Sequence, residues 1–217
     1  DEESLPAGTV VKNGATRILQ VSPLGATTVD FALEARSSIA EPPPLRLRPA
    51  ESGLLAPGSD GISAHMEIAE DGGCSLQAFA EGRIVEQEGK KHLEVKLFGQ
   101  RQTALLVQNC GAGGLFIWVL FVHQVRDPRG SAMVIAEEPS MLAACTGFDL
   151  IRRRHQALLQ CRLLGASRIE FAGRRVGENS FLLEFAPATA EADFQITTAS
   201  EKWQGRVSWK YSSRLFQ

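Results

Sequence analysis

The sequence predicts a mainly β fold, with an all-β half over residues 1–127 and an α+β half over residues 128–217. Residues 29–35 and 62–68 alternate apolar and polar side chains with a period of two, which is typical of half-buried strands. The proline-rich crossing between them favours an antiparallel sandwich. The one convincing helical stripe comes late, at about 148–164, so the second half should be a small antiparallel sheet packed on helices.

Two further strand pairs are predicted in the first half. Residues 83–87 and 92–98 flank a short polar turn that contains glycine, which indicates a β-hairpin. Residues 103–108 and 115–124 flank the glycine-rich segment 111–114, which is typical of a turn. The first half therefore consists of strands joined by turns.

The segment Leu115–Val122 is apolar throughout. A strand without a polar face must be covered on both sides, so we expect it to lie centrally or where two subdomains meet. It is much shorter than the roughly 20 residues that a membrane helix needs. The net charge of −2 gives no general attraction to nucleic acid or anionic lipid.

Helices and strands alternate in the predicted second half. A helix is expected to start at residues 138–140, and the helix over 148–164 is closed by Gly165 as its C-cap. Residues 203–215 carry apolar side chains at both the two-residue spacing of a strand and the four-residue spacing of a helix. Ser200 is a possible N-cap, which favours a helix there. Further strands are predicted at 131–136, 167–172, 181–185 and 194–198.

The four cysteines are scattered along the chain, and none forms a Cys-x-x-Cys or zinc-type spacing. A chain of 217 residues does not need disulfides to be stable, so we expect free buried thiols in a reducing compartment, which favours the cytosol. No metal site and no cofactor are predicted. The acidic start of the chain is unlike a signal peptide.

Cys110 is the one candidate nucleophile, because a glycine-rich turn that could serve as an oxyanion hole follows it. A cysteine nucleophile needs a histidine base within reach and a third group that orients this base. The upstream histidines, His65 and His92, lie on the polar faces of predicted strands. We therefore expect no enzymatic activity, and a hydrolase that uses Cys110 remains a minor alternative.

Residues 148–176 are locally basic, with seven arginines against two acidic residues. The candidate partner-binding residues are Arg152, Arg153, Arg174 and Arg175, together with Trp203, because tryptophan and arginine dominate interface hot spots. The alternatives are a solvated face whose arginines pair with carboxylates, and core packing for Trp203. Nucleic acid binding is not expected, since this stretch lacks interleaved aromatic residues.

Three stretches, residues 29–35, 53–63 and 169–185, resemble the appendage or "ear" domain of adaptor-complex large subunits, most like the β-type subunits of vesicle coats. The resemblance implies an immunoglobulin-like β-sandwich over 1–127 followed by a platform subdomain over 128–217. It implies that 169–176 and 180–185 form the central hairpin of the platform. The aromatic anchors of the family's peptide groove are missing, because 133–137 has no aromatic residue and Leu183 takes the tyrosine's place.

The function implied by this resemblance is a non-catalytic protein-interaction appendage that recruits accessory or coat proteins in endosomal or Golgi transport. Its other partners would be adaptor subunits, reached through the rest of the chain. The domain would be monomeric when isolated, cytoplasmic, and only peripherally associated with endosomal or Golgi membranes. The alternative is a structural β-sandwich protein that binds copies of itself, such as a virion component.

Overall fold

Strands form nearly all of the regular structure that can be described. The computed structural model describes residues 11–13, 16–21, 29–32, 42–50, 55–58, 61–126, 132–151, 156–184 and 190–209. Within these ranges there is no α-helix, and one short 3-10 turn lies at Gly111–Gly113. The chain divides into two units, Asp1–Ala40 and Glu41–Gln217.

The first unit contains a three-stranded antiparallel sheet in the order β1-β2-β3. Its strands are β1 (Val11–Asn13), β2 (Thr16–Val21) and β3 (Val29–Ala32). The strand predicted at 29–35 is confirmed over Val29–Ala32, and its last three residues lie outside the described ranges.

The second unit has sixteen strands in the described residues. The first eight are β4 (Arg46–Pro49), β5 (Leu55–Gly58), β6 (Gly61–Glu70), β7 (Ser75–Ala80), β8 (Gly82–Gln87), β9 (Lys90–Lys96), β10 (Arg101–Asn109) and β11 (Leu115–Arg126). The others are β12 (Ala132–Ala136), β13 (Ser140–Ile151), β14 (Gln156–Leu163), β15 (Arg168–Phe171), β16 (Arg174–Gly177), β17 (Ser180–Glu184), β18 (Ala190–Thr197) and β19 (Lys202–Trp209).

These strands form three sheets in which the described pairs are antiparallel. A five-stranded sheet has the order β4-β6-β9-β8, with β5 also on β6. An eight-stranded sheet has the order β16-β17-β14-β13-β11-β10-β7, with β12 also on β11. A three-stranded sheet has the order β15-β18-β19.

The eight-stranded sheet is the middle layer, because the two apolar cores of the unit lie on its opposite faces. One face of β10 carries Leu105, which belongs to the same core as Ile196 of the three-stranded sheet. The other face carries Leu106, in a second core with Leu93 and Val95 of the five-stranded sheet. Burial on both faces explains why β10 is buried from its second residue to its last.

The prediction for Leu115–Val122 is confirmed, because β11 is covered on both faces. Ile117 and Val119 lie in the first core, whereas Leu120 and Val122 lie in the second. Trp118 is partly buried and packs against the second core. The apolar run thus reflects a strand with no solvent-facing side.

The hairpin predicted over 83–98 is confirmed as β8 and β9. Its two-residue turn places Glu88 at φ 53° and Gly89 at φ 74°. Positive φ at both turn residues is the type I′ geometry, which matches the twist of the paired strands. The predicted strand at 62–68 is also confirmed as part of β6, with Ala64 and Met66 buried.

The two helices predicted between 138 and 164 are wrong over the described residues. Ser140–Ile151 and Gln156–Leu163 are strands, and Pro139 lies in the short gap where β12 ends and β13 begins along β11. Proline lacks the backbone N–H that sheet pairing uses, so it marks an interruption. Leu158 and Leu159 are both buried although they lie on opposite faces of β14, and burial of adjacent residues imitates a helical stripe.

The helix predicted from Ser200 onward is wrong over Lys202–Trp209, which forms β19. Val207 is buried, while its neighbours Arg206 and Ser208 are exposed, so the period of two is the one that the fold uses. Residues 210–217 lie outside the described ranges.

The hairpin expected over 169–185 forms only in part. β16 pairs with β17, but β15 pairs with β18 in the other sheet, so Ile169 and Phe181 belong to different sheets. Strands from both sides of residue 127 pair within one sheet, since β11 joins β13. The division at residue 127 stays a prediction.

Candidate binding site

The free-thiol prediction is wrong, because all four cysteines are in disulfides. Cys74 bonds to Cys110, and Cys145 bonds to Cys161. The sheet register brings both pairs together. Cys145 lies directly opposite Cys161, and Cys74 and Cys110 adjoin the paired residues Ser75 and Asn109.

Cys110 therefore carries no thiol, and the hydrolase alternative loses its nucleophile. The glycines after it form a turn, as the sequence indicates. Gly111 has a φ of 60°, and its N–H donates to the Asn109 Oδ1 atom at 3.0 Å. His65, one of the two candidate bases, has its Nδ1 atom 3.7 Å from Glu94 Oε1 on the neighbouring strand.

The predicted partner-binding residues do not form one cluster. Arg174 and Arg175 are exposed on β16, an edge strand of the eight-stranded sheet. Trp203 is half-buried on β19 and packs against the first core. Arg152 and Arg153 lie outside the described residues. A partner-binding role for these five residues stays a prediction.

A trough on the outer face of the three-stranded sheet is the strongest candidate site. Its volume is about 770 Å³, within the usual range for ligand pockets. Phe171, Phe194 and Gly205 form one cross-strand row, and the two phenylalanines point into the core. The trough is lined by Glu170, Phe171, Ala172, Asp193, Phe194, Gln195, Gln204, Gly205 and Arg206.

Alternation of side chains along the strands produces the two walls of this trough. One wall is the row in which Glu170 pairs with Gln195 and Gln195 pairs with Gln204. The opposite wall contains Asp193 and its cross-strand neighbour Arg206. The row between the two walls has no side chain on this face, because its residues point into the core. The floor of the trough is therefore the backbone of the sheet.

The charged groups of the trough are paired. Arg206 donates from Nε to Asp193 Oδ1 at 2.6 Å and from Nη2 to Oδ2 at 3.2 Å, and its Nη1 lies 3.9 Å from Glu191 Oε2. Hydrogen bonding to Arg206 lowers the pKa of Asp193, and the same contact raises the pKa of Arg206. Arg168 donates from Nε to Glu170 Oε1 at 3.1 Å. The trough as a whole is close to neutral.

Strand β19, which contributes a third of the residues that line the trough, is hydrogen-bonded to the middle sheet. Gln77 of β7 donates to the Arg206 carbonyl at 3.4 Å and accepts from the Ser208 N–H at 3.2 Å. Asn109 donates to the Ser208 carbonyl at 3.2 Å. A Cβ at Gly205 would lie 2.6 Å from the Phe79 ring, so glycine lets β19 approach this closely.

A second cavity, of about 470 Å³, lies where β6 ends beside the β8–β9 turn. Glu67 on its wall is buried, and Arg48 Nη2 donates to its Oε1 at 2.6 Å. This hydrogen bond lowers the pKa of Glu67, and Lys90 adds to the effect. The Lys91 ammonium, 2.7 Å away, lowers the pKa of Asp71 in the same way. This arrangement links the ends of the strands through charge pairs.

The described residues around the two cavities do not form a metal site. Among the described residues, no group of three or more histidine, cysteine, aspartate or glutamate side chains could hold a metal ion. Within the same ranges, no helix has the length and apolar character that crossing a membrane would require.

Sequence patterns do not reveal the trough, because they favour a helix for residues 202–209 and do not show which strands pair. A sequence signal for its central strand is present, since Asp193 and Gln195 alternate with Phe194 and Ile196.

Comparisons of the chain with models of known protein families, with curated protein sequences and with solved structures find no match.

Proposed function

We propose that this chain is a non-catalytic binding domain that works in an oxidising compartment and engages its partner through the trough on β15, β18 and β19. The observation that carries the proposal is the trough itself, an exposed concavity whose polar side chains lie on three paired strands, one of which, β19, is hydrogen-bonded to the middle sheet. Binding sites placed on strands hold their side chains more accurately than sites on loops.

The two disulfides support the proposal that the protein works in an oxidising compartment. Disulfides persist in secreted and other extracytoplasmic proteins, whereas cytosolic thiols are kept reduced. Cys145 and Cys161 are both buried between sheets, as expected for a structural bond. The sequence-level expectation of a cytoplasmic location thus gives way in this proposal to an oxidising location.

Site-specific photo-crosslinking tests the proposal. A photoreactive residue at Gln204, on the trough wall, should crosslink a defined partner in the extracellular or periplasmic fraction of the source cells. The same residue at Gln87, exposed on β8 of another sheet, is the matched control. Equal crosslinking from both positions, or no crosslinked protein together with no glycan bound at Gln204, would contradict a partner site in the trough.

The vesicle-coat appendage, its platform subdomain, its coat-protein partners and its endosomal or Golgi location stay predictions. Alkylation of the protein inside intact cells separates this interpretation from ours. A cytosolic appendage should take up four alkyl groups, whereas a domain in an oxidising compartment should take up none.

The self-assembling alternative is tested by light scattering, which should give a monomer mass if our proposal holds.

A further inference from the structure

We infer that the ligand of the trough is a neutral glycan. This inference rests on the proposed function, since it names the ligand class of the same site. Three features of the described residues that line the trough carry it: their charges are paired, two of their amides form no hydrogen bond, and none of them offers an apolar anchor.

The charges of the trough do not select a charged ligand. Asp193 and Arg206 neutralise each other through two hydrogen bonds, and Glu170 is matched by Arg168. An anionic or cationic ligand would have to compete with these ion pairs. The trough is close to neutral, so it would attract such a ligand only weakly. A neutral ligand is compatible with the pairs as they stand.

The uncommitted polar groups are amides. In the part of the chain that the structure describes, the side chains of Gln195 and Gln204 form no hydrogen bond, although they are neighbours across β18 and β19. Each amide offers two N–H donors and one carbonyl acceptor. Sugar hydroxyl groups both donate and accept, so neighbouring hydroxyls can bind one amide through both of its ends.

The described residues that line the trough include no side chain that would anchor a peptide or a lipid. Its phenylalanines, Phe171 and Phe194, are turned into the core and buried, and Ala172 is the one apolar side chain on a wall. Peptide and protein interfaces depend on aromatic or large aliphatic anchors in pockets. The walls are about 7 Å apart, two residues along a strand, which suits a flat ring lying on the sheet.

A glycan array tests this inference. The probes are neutral oligosaccharides of the malto, cello, chito and manno series, together with sialylated and sulfated oligosaccharides. The wild-type protein should bind at least one neutral series. The double variant Gln195→Ala/Gln204→Ala should lose about tenfold in affinity for it, since one or two hydrogen bonds carry roughly that much. The Gln87→Ala variant should bind like the wild type.

The folding of the double variant is checked by its denaturant unfolding curve, which should match that of the wild type because both side chains lie on the outer face. Binding to sialylated or sulfated probes alone, or unchanged binding by the double variant, would overturn the glycan inference. If no probe binds while Gln204 still crosslinks a protein partner, the inference fails and the proposed function stands. If Gln204 crosslinks nothing and no probe binds, both fail.

Discussion

At the residue scale, Gln108 shows how a buried polar side chain can join separate elements. It is fully buried in β10, where its Nε2 atom donates to the Asp71 carbonyl at 2.9 Å and to the Pro43 carbonyl at 3.4 Å. Its Oε1 atom accepts a hydrogen bond from Trp118 Nε1 at 3.1 Å. One buried amide therefore makes hydrogen bonds to the segment before β4, to the loop after β6 and to a tryptophan of β11.

Replacing this amide should be costly. We expect Gln108→Ala to lower the free energy of unfolding by about 2 to 4 kcal/mol, because it leaves a cavity and removes the partners of buried polar groups. Denaturant unfolding measures the change. Gln204→Ala, an exposed strand amide, is the control and should stay close to the wild type. A loss at Gln108 no larger than the control would contradict the role assigned to this network.

The lowered pKa of Glu67 makes a second prediction at this scale. A carboxylate with a lowered folded-state pKa stabilises the fold above its unfolded pKa of about 4, and this stability is lost as the pH falls through the folded value. Acid should therefore destabilise the wild type more steeply than Glu67→Gln, whose amide does not titrate in this range. Unfolding midpoints measured between neutral pH and strong acid test this.

The control for the acid series is Glu178→Gln, at an exposed turn. It should follow the wild-type dependence on pH. The Arg48 and Lys90 contacts to Glu67 would be irrelevant to acid stability if Glu67→Gln and Glu178→Gln gave superimposable curves.

At the scale of the element, the disulfides fix strand partners. The bond between Cys145 and Cys161 ties β13 to β14 at directly opposed positions, and the bond between Cys74 and Cys110 ties the start of β7 to the end of β10. Both bonds lie along the eight-stranded sheet. They hold the strands that provide one side of each apolar core.

Removing each disulfide should have a cost set largely by its loop. The separations are 36 residues for Cys74–Cys110 and 16 for Cys145–Cys161, so the paired alanine variants should lose about 4 and about 3 kcal/mol respectively, on the chain-entropy account. Denaturant unfolding of the two double variants tests this. Unfolding of the oxidised wild type should release no thiol, and any thiol titrated there would contradict the pairing.

At the scale of the whole molecule, the second unit buries its apolar residues in two cores separated by the eight-stranded sheet. The strands shared by both cores, β10 and β11, gain from burial on either side. Edge strands such as β16, with Arg174 and Arg175 exposed, gain much less. Stability should therefore be distributed unevenly.

Hydrogen exchange tests this distribution. Backbone amides of β10 and β11 should exchange most slowly in the second unit, because their opening requires both cores to open. The amides of β16 and of the β8–β9 turn should exchange faster by several orders of magnitude. Equal protection of β16 and β10 would contradict the three-layer arrangement.

Local patterns predicted a large part of the first half of the chain. The hairpin at Glu88 and Gly89 is predicted by its glycine-containing turn and by the alternation of apolar and polar residues on either side. Both signals involve residues close together in the sequence. The apolar run of β11 likewise required cover on both faces, whatever provided it. The candidate site was not found this way, since Glu170, Asp193 and Gln204 come together only when three strands pair.

The sequence by itself determined that this protein is mainly β, where its clearest strands lie, and that one strand is central, because these properties depend on side-chain period and turn residues. Only the tertiary structure decided that residues 156–163 and 202–209 are strands, which cysteines are bonded, and that a polar trough exists. These depend on which distant strands pair and in what register. The sequence of 202–209 carries both a strand period and a helix period, and the adjacent apolar residues of 156–163 imitate a helical stripe, so side-chain period alone does not separate strand from helix there.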